Sequence, residues 1–123
     1  SKDAMIAVGD LNIAPRENDV WDHKKMINVV SHTPAEIERF TRFYKAMDWV
    51  DAVRHFVPDD KKLYTWWSYR APDWDAADKG RRLDHIWVTK KLKSALKSHA
   101  VIRDARSWDQ PSDHVPVITE LKF

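Results

Sequence analysis

Residues 81–89 read RRLDHIWVT, and this stretch indicates the fold more clearly than any other part of the chain. Its apolar and β-branched residues predict a β-strand, and they surround one carboxylate, Asp84. Such a carboxylate must be paired or must bind a cation, because burial of a bare charge is costly. Asp84 is therefore a candidate site residue, although a structural salt bridge to Arg81 or Arg82 would also satisfy it.

Helix and strand patterns continue on both sides of this segment. Residues 4–13 (AMIAVGDLNI) are apolar at both alternating sets of positions, which predicts a central strand covered on both faces. Thr33, Pro34 and Glu36 match the cap, first position and capping box of a helix. The other expected elements are a helical stripe of Ile37, Phe40, Tyr44 and Met47, a short helical or irregular segment at 49–56, strands at 63–69, 100–104 and 115–123, and a short helix at 90–98. This order predicts one α+β domain over residues 1–123, with a mixed, mainly antiparallel sheet.

Length and composition limit the class of protein. The 123 residues are 43% hydrophobic and 33% charged, which is typical of a single globular domain. No run of 18 apolar residues occurs, so no membrane-spanning helix is expected. The sequence has no cysteine, which excludes disulfides, thiolate metal sites and thiol nucleophiles. This is compatible with the reducing cytoplasm, where we expect the protein to reside.

The charge of the chain is unevenly distributed. Eight basic residues lie between positions 79 and 103 with a single acid, Asp84, although the net charge of the whole chain is only +2. Such a block suggests an anionic partner, but it is equally typical of a solvated lysine face on a helix.

Two further polar clusters lie at the ends of predicted strands. Asp10 and Asn12 are two positions apart, so on a regular strand both side chains point to the same side. Together they could hold a hydrated hard cation or orient a phosphate, or they could simply form a turn. The tripeptide Ser112-Asp113-His114 is expected in a bend before the last strand, where Asp113 could bind a metal while His114 faces a substrate. Taken together, the clusters suggest metal-assisted hydrolysis of a phosphodiester.

Four segments resemble the exonuclease III family of the endonuclease/exonuclease/phosphatase superfamily. They are GDLNIAP (9–15), LYTWWSYR (63–70), GRRLDHIWV (80–88) and PSDHVPV (111–117), and they occur in the family's order. The resemblance implies a DNase I-like, four-layer αββα sandwich built from two similar halves. This chain matches the second half, in which helices cover one face of the sheet.

The resemblance also implies catalytic roles. Asp10 would activate the attacking water or protonate the leaving oxygen, and Asn12 would orient the nucleophile or the phosphate. Asp84 would orient His114, which binds the scissile phosphate. A magnesium ion, or manganese, would be held by Asp113 together with Asp10 and Asn12.

Substrate-binding roles follow in the same way. Trp66 and Leu83 match positions that wall the pocket for a base-less deoxyribose, and Arg81 stands where some relatives carry an aromatic residue. Arg81 and Arg82 are expected to line the approach of a polyanionic substrate. Because the side chains of Trp66 and Trp67 alternate, one is expected in the core and the other at the pocket.

The resemblance implies a DNA repair nuclease that acts on double-stranded DNA at abasic sites or 3′ ends. We expect residues 1–123 alone to have little or no activity, since the family's metal-binding glutamate has no counterpart here. An uncovered sheet face would make the chain self-associate or bind the other half, and the seven tryptophans are expected to serve that contact. The alternatives are a non-catalytic nucleic-acid-binding module and a phosphatase acting on small phosphoesters.

Overall fold

A computed structural model describes residues 3–123. The strands in this range are Ile6–Asp10 (β1), Trp49–Asp51 (β2), Asp84–Thr89 (β3), Leu96–Val101 (β4) and Val117–Leu121 (β5), and the α-helices are His23–Met26 (α1), Pro34–Lys45 (α2), Ala52–Phe56 (α3) and Trp74–Ala77 (α4). Short 3-10 helices occupy Glu17–Asp19, Lys90–Ala95 and Arg103–Ser107. Across this part of the chain, no helix is both long and apolar enough to cross a bilayer.

The strands pair only in the antiparallel sense, in two sheets. One sheet has the order β1-β3-β2, and β4 pairs with β5 in the other. The predicted α+β class and antiparallel pairing are confirmed, although the strands form two hydrogen-bonded sheets instead of one. The expectation that residues 4–13 form a central strand is wrong, because β1 is an outer strand and β3 lies between its neighbours.

Helix α2 covers one face of β3, as its sequence pattern predicts. Thr33 Oγ1 accepts a hydrogen bond from the backbone of Glu36, so the predicted capping box begins this helix. The rings of Phe40 and Tyr44 contact the Trp87 indole edge to face, at centroid distances of 5.2 and 5.1 Å. This geometry suits aromatic rings, whose electron-rich faces attract the edges of their neighbours. The aromatic contacts fix the helix on the sheet.

The aromatic segment 63–69 does not form the predicted strand. Its backbone groups bond to several separate segments: Leu63 to Asn18, Trp66 to Arg81 and Trp67 to Asp113. No single neighbouring strand therefore runs alongside it, and only isolated bridges result. The aromatic residues of this segment are therefore packed against several separate segments and are not part of a continuous β-ladder.

Two other boundaries also differ from the predictions. The helix expected at 90–98 ends at Ala95 as a 3-10 helix, and residues 96–101 form strand β4, which includes part of the edge strand expected at 100–104. Lys122 N donates to Ala95 O, so the last strand continues this backbone pairing beyond its bounds. The strand expected at 115–123 is shorter, with β5 limited to Val117–Leu121. Cross-strand pairing, which local propensity does not report, sets these limits.

The tryptophan rings differ in burial. Trp67 and Trp87 are each 2% exposed, whereas Trp108 is 58% exposed. The expectation that the tryptophans serve a missing partner is therefore wrong for Trp67 and Trp87, which are core residues of this chain.

The face of β1 opposite helix α2 is open. Ile6 and Val8 point to it and are 51% and 70% exposed. In the antiparallel register they lie opposite Val88 and Ile86, and the same row of side chains ends at the Asp10–Asp84 pair. An apolar surface thus leads directly to two carboxylates.

Candidate active site

Three polar side chains converge where β1, β3 and the loop before β5 meet. Asp10 and Asp84 are opposite one another in the β1–β3 register, so their side chains leave the same face of the sheet. His114 is brought to them by a backbone bridge to Trp66. The predicted bend at 112–114 is confirmed, since Ser112 Oγ accepts a hydrogen bond from His114 N.

His114 lies at the centre of this group. Its Nδ1 is 2.8 Å from Asp84 Oδ2, and its Nε2 is 3.5 Å from Asp10 Oδ2 and 4.0 Å from Asp113 Oδ1. An ionised carboxylate can only accept, so Nδ1–H donates to Asp84 and the other ring nitrogen points towards Asp10. The predicted orientation of His114 by Asp84 is present in the structure.

The surroundings of His114 favour its charged form. Partial burial opposes ionisation, but the hydrogen bond to Asp84 and the negative charges of Asp84, Asp10 and Asp113 outweigh it and raise the pKa of His114 above its ordinary value. The imidazolium is therefore more populated near neutral pH than in an isolated histidine.

Asp84 is held in place by a residue that sequence reasoning missed. Thr65 Oγ1 accepts hydrogen bonds from the backbone N–H groups of Leu83 and Asp84, at 3.0 and 3.2 Å. Thr65 is 1% exposed, so these bonds are shielded from water. Its position within an aromatic segment is the sequence feature that could have identified Thr65, because a hydroxyl buried among aromatic residues requires a hydrogen-bond partner.

Asn12 does not extend the strand as predicted. β1 ends at Asp10, and Asn12 adopts a left-handed backbone conformation with φ of 55°, which asparagine tolerates better than most residues. Its backbone N–H donates to Asp10 Oδ1 at 3.0 Å. The argument that both side chains share one face of a strand is therefore wrong, and the turn instead positions the Asp10 carboxylate.

Asp113 lies at the rim of the group. Its Oδ2 accepts a hydrogen bond from Trp66 Nε1 at 3.0 Å, and its Oδ1 faces His114. Asp10, Asp84 and His114 each place one possible metal ligand within 4.8 Å of the others. Asp113 lies outside this group of three, and one oxygen of each of the three carboxylates, Asp10, Asp84 and Asp113, already accepts a hydrogen bond.

The residues predicted to wall a sugar pocket are adjacent to this group. Trp66 and Arg81 form an antiparallel bridge, and the Arg81 guanidinium lies 5.0 Å from the centre of the Trp66 ring. Leu83 is buried behind them and packs with Trp66. Trp67 is buried in a different core cluster, with Ala105 and Val115, but both tryptophans line the same pocket, so the expected division of one ring in the core and the other at the pocket is incomplete.

Arg82 is not placed to bind a substrate, and that prediction is wrong. Its side chain is 1% exposed and forms charged hydrogen bonds with Asp19 and Asp51. Asp19 also pairs with Arg54 at 2.6 Å, so a buried ionic network anchors the loop that follows β1. These bonds occupy Nε and both terminal nitrogens of Arg82, which leaves the guanidinium fully engaged.

The basic block is divided by the fold. Lys79 and Arg81 precede the Asp84 end of β3, whereas Lys90, Lys91 and Lys93 follow its other end at Thr89. A strand rises about 3.3 Å per residue, so the second group lies roughly 16 Å away along the strand. Only the first part of the block can contribute charge to the site directly.

The sequence and structure match known proteins over most of this chain. The Endonuclease/Exonuclease/phosphatase family matches residues 1–114. The chain is 38% identical over 118 residues to an exodeoxyribonuclease from Bacillus subtilis, covering 94% of this chain and 44% of that protein. Over 124 residues it is 29% identical to exodeoxyribonuclease III from Haemophilus influenzae, covering 96% and 46%.

Solved structures also match this chain over nearly its whole length. An AP endonuclease from Archaeoglobus fulgidus superposes with a TM-score of 0.91 and 25% identity, and a Neisseria 3′ phosphatase, NExo, bound to a product DNA hairpin superposes with a TM-score of 0.88 and 30% identity. Each match covers 98% of this chain and 46% of the other. The chain spans slightly less than half the length of each of these four relatives. By its sequence match and its fold, the chain belongs to the endonuclease/exonuclease/phosphatase family.

Proposed function

We propose that this chain supplies the Asp10, Asp84 and His114 group of a DNA repair nuclease that hydrolyses phosphodiesters with the help of a divalent metal. The substrates we propose are abasic sites and 3′ ends of double-stranded DNA. The observation that carries the proposal is the Asp84–His114–Asp10 arrangement, in which one imidazole nitrogen is fixed by a carboxylate and the other lies 3.5 Å from a second carboxylate. The names and activities of the matched relatives support the choice of DNA.

His114 would stabilise charge on the phosphate. Its raised pKa favours the imidazolium near neutral pH, and Asp84 holds Nδ1–H so that Nε2–H is free to donate to a phosphate oxygen. This bond strengthens as negative charge develops in the transition state. His114 is therefore the electrostatic group, and Asp84 is its positioning residue.

Asp10 would act on the attacking water. Its carboxylate is partly exposed and lies 3.5 Å from His114 Nε2, so a water bound to Asp10 would approach the same phosphate that His114 holds. The turn at Asn12 fixes one carboxylate oxygen, which leaves the other to accept the water proton. General base catalysis of this kind typically contributes about 10²–10⁴-fold in rate.

A divalent ion fits the oxygen donors at the rim. Mg²⁺ usually binds through one or two carboxylates together with water and substrate phosphate oxygens; Asp10 belongs to the group of three side chains whose possible ligand atoms lie within 4.8 Å of one another, and Asp113 lies beside that group, 4.0 Å from His114. The Asn12 side-chain oxygen is the next candidate ligand. A bound Mg²⁺ or Mn²⁺ would neutralise phosphate charge and lower the pKa of water.

We also propose that the open face of β1 is covered by a second sheet in a longer protein. Relatives devote more than half of their length to residues outside the matched region, and the exposed Ile6 and Val8 side chains end beside the catalytic group. Without that cover, the 123-residue chain should self-associate. Substitution Val8→Lys should reduce association in sedimentation, whereas Phe43→Lys, at an equally exposed position on helix α2, should not. A monodisperse unsubstituted monomer at high concentration would count against this assignment.

A chimeric enzyme tests the catalytic proposal. The matched region of the Bacillus subtilis exodeoxyribonuclease would be replaced by this chain, and cleavage of a labelled duplex with an abasic analogue or a recessed 3′ end would be measured with and without Mg²⁺. We expect metal-dependent cleavage by the chimera and little or none by the isolated chain.

Single substitutions in the chimera separate the roles. Asp10→Asn, Asp84→Asn and His114→Gln should each lower kcat by about 10²-fold or more. Lys91→Met, at the far end of β3, removes a charge outside the site and should leave kcat unchanged. If the chimera folds and binds DNA but the His114→Gln chimera retains full kcat, the proposed role of His114 is refuted.

A further inference from the structure

The loop that follows β1 lies beyond the strand pairing. β1 pairs with β3 only as far as Asp10, so the carbonyls that follow at Ile13 and Ala14 must find donors elsewhere. Two histidines outside the catalytic group provide them. His85 Nε2 lies 2.7 Å from Ile13 O, and His32 Nδ1 lies 2.6 Å from Ala14 O.

Both imidazoles are buried and firmly held. A carbonyl oxygen can only accept, so His85 donates from Nε2–H and His32 donates from Nδ1–H. His85 is 2% exposed and His32 is 0% exposed, so their hydrogen bonds are shielded from water. The second nitrogen of the His32 ring, Nε2, lies 2.7 Å from Nδ1 of His23, which fixes the ring from its other side.

The two carbonyls come directly after the turn at Asn12. This residue has a left-handed backbone with φ of 55°, a conformation that persists only where the surrounding structure over-determines it. Before the turn, Leu11 N donates to Leu83 O at 3.0 Å, and after it Ala14 N donates to Ser31 O at 2.9 Å. The imidazole bonds add to the second of these, so the turn is held on both sides.

We propose that His32 and His85 are positioning residues for the hydrolytic site, and that they act by holding the turn at Asn12. The proposal rests on the proposed function, in which this turn fixes one oxygen of the Asp10 carboxylate. Without the two imidazole donors the turn can relax, and the Asn12 N–H, now 3.0 Å from Asp10 Oδ1, would move away from it. A displacement of about 1 Å at a reacting group can lower the rate by about 10²-fold.

NMR of the 123-residue chain tests the positioning without any cleavage. The Cα and Cβ chemical shifts of Asn12 report whether its backbone is left-handed. His32→Leu and His85→Leu remove the donors and should move these shifts towards the values of a disordered chain. His32→Asn retains an N–H near the position of Nδ1, and His85→Gln retains one near the position of Nε2, so both should keep the original shifts. Unchanged Asn12 shifts in both leucine variants would overturn the proposal.

Kinetics of the chimeric enzyme separate positioning from simple stabilisation of the fold. Each leucine variant should lower kcat by about tenfold or more and leave KM within about twofold, whereas His32→Asn and His85→Gln should retain most of kcat. The control is Leu92→Ala, which creates a cavity in a separate core cluster and should lower stability without a change in kcat. Full kcat in both leucine variants of an active chimera would refute the positioning role.

The two measurements also separate this proposal from the proposed function. An inactive unsubstituted chimera would count against the proposed function, while the Asn12 shifts would still decide whether the two histidines hold the turn. If a leucine variant does not fold, the phenylalanine variant at the same position, which keeps a ring but has no donor, takes its place in both measurements.

Discussion

Replacement of Arg82 by methionine should destabilise the protein severely. Arg82 is 1% exposed, and its Nε and terminal nitrogens form four hydrogen bonds of 2.8–3.0 Å with Asp19 and Asp51. The substitution leaves two buried carboxylates, and Asp19 keeps its bond to Arg54 at 2.6 Å. Removal of one partner from a buried ionic network lowers the free energy of unfolding by about 3–5 kcal/mol.

That cost is large for a domain whose free energy of unfolding is about 5–15 kcal/mol. Chemical unfolding followed by far-UV circular dichroism measures this loss of stability. We expect a lower denaturant concentration at the midpoint and an unchanged dependence of the unfolding free energy on denaturant concentration. The matched control is Arg42→Met, which removes an exposed Arg42–Glu38 pair on helix α2 and should cost about 0.5 kcal/mol or less. An Arg82→Met protein within about 1 kcal/mol of the unsubstituted chain would refute the structural role.

Other measurements test the site and the packing around it. By NMR titration, His114 should ionise above pH 6.5 and its pKa should fall in the Asp84→Asn variant, because that variant removes its negative partner; an unchanged pKa would contradict the pairing. Burial, together with the charge of a neighbouring arginine, lowers the pKa of His85 to about 4. As pH falls from 6.5 towards 4, the His85 imidazole therefore binds a proton in the unfolded chain but stays neutral in the folded chain. The free energy of unfolding should decline over that window by about 3 kcal/mol. The His85→Leu variant should show a flatter profile there, and an equally steep one would exclude His85 as the cause. A Cβ at Gly80 would lie 2.5 Å from a tyrosine ring, so Gly80→Ala should cost about 1–3 kcal/mol in urea unfolding, while Gly9→Ala, with its nearest contact at 3.9 Å, should cost much less. Equal costs for the two glycines would refute the packing argument.

Features with local causes could be predicted from the sequence. The capping box at Thr33 depends on residues within one turn, and the structure begins helix α2 there. Asp10, Asp84 and His114 also lie together, as the resemblance of their motifs implies, whereas the need of a buried charge for a partner alone left a salt bridge of Asp84 to Arg81 or Arg82 equally possible.

Features set by long-range contacts could not be predicted. The sequence of residues 63–69 has the composition of a strand, but its backbone bonds to three separated segments. Arg81 and Arg82 are chemically equivalent neighbours, yet one lines a pocket and the other is buried between Asp19 and Asp51. Only the position of distant carboxylates distinguishes the two arginines, and no local pattern reports it.

Trp66 joins two parts of the site through its main chain. Its backbone bridges Arg81 on one side and His114 on the other. Peptide groups make these bridges, so a different side chain at position 66 or 81 would leave the spacing between pocket and histidine intact. The side chains at positions 66 and 81 can therefore be exchanged, and the lining of the pocket changed with them, while His114 keeps its position beside Asp10 and Asp84.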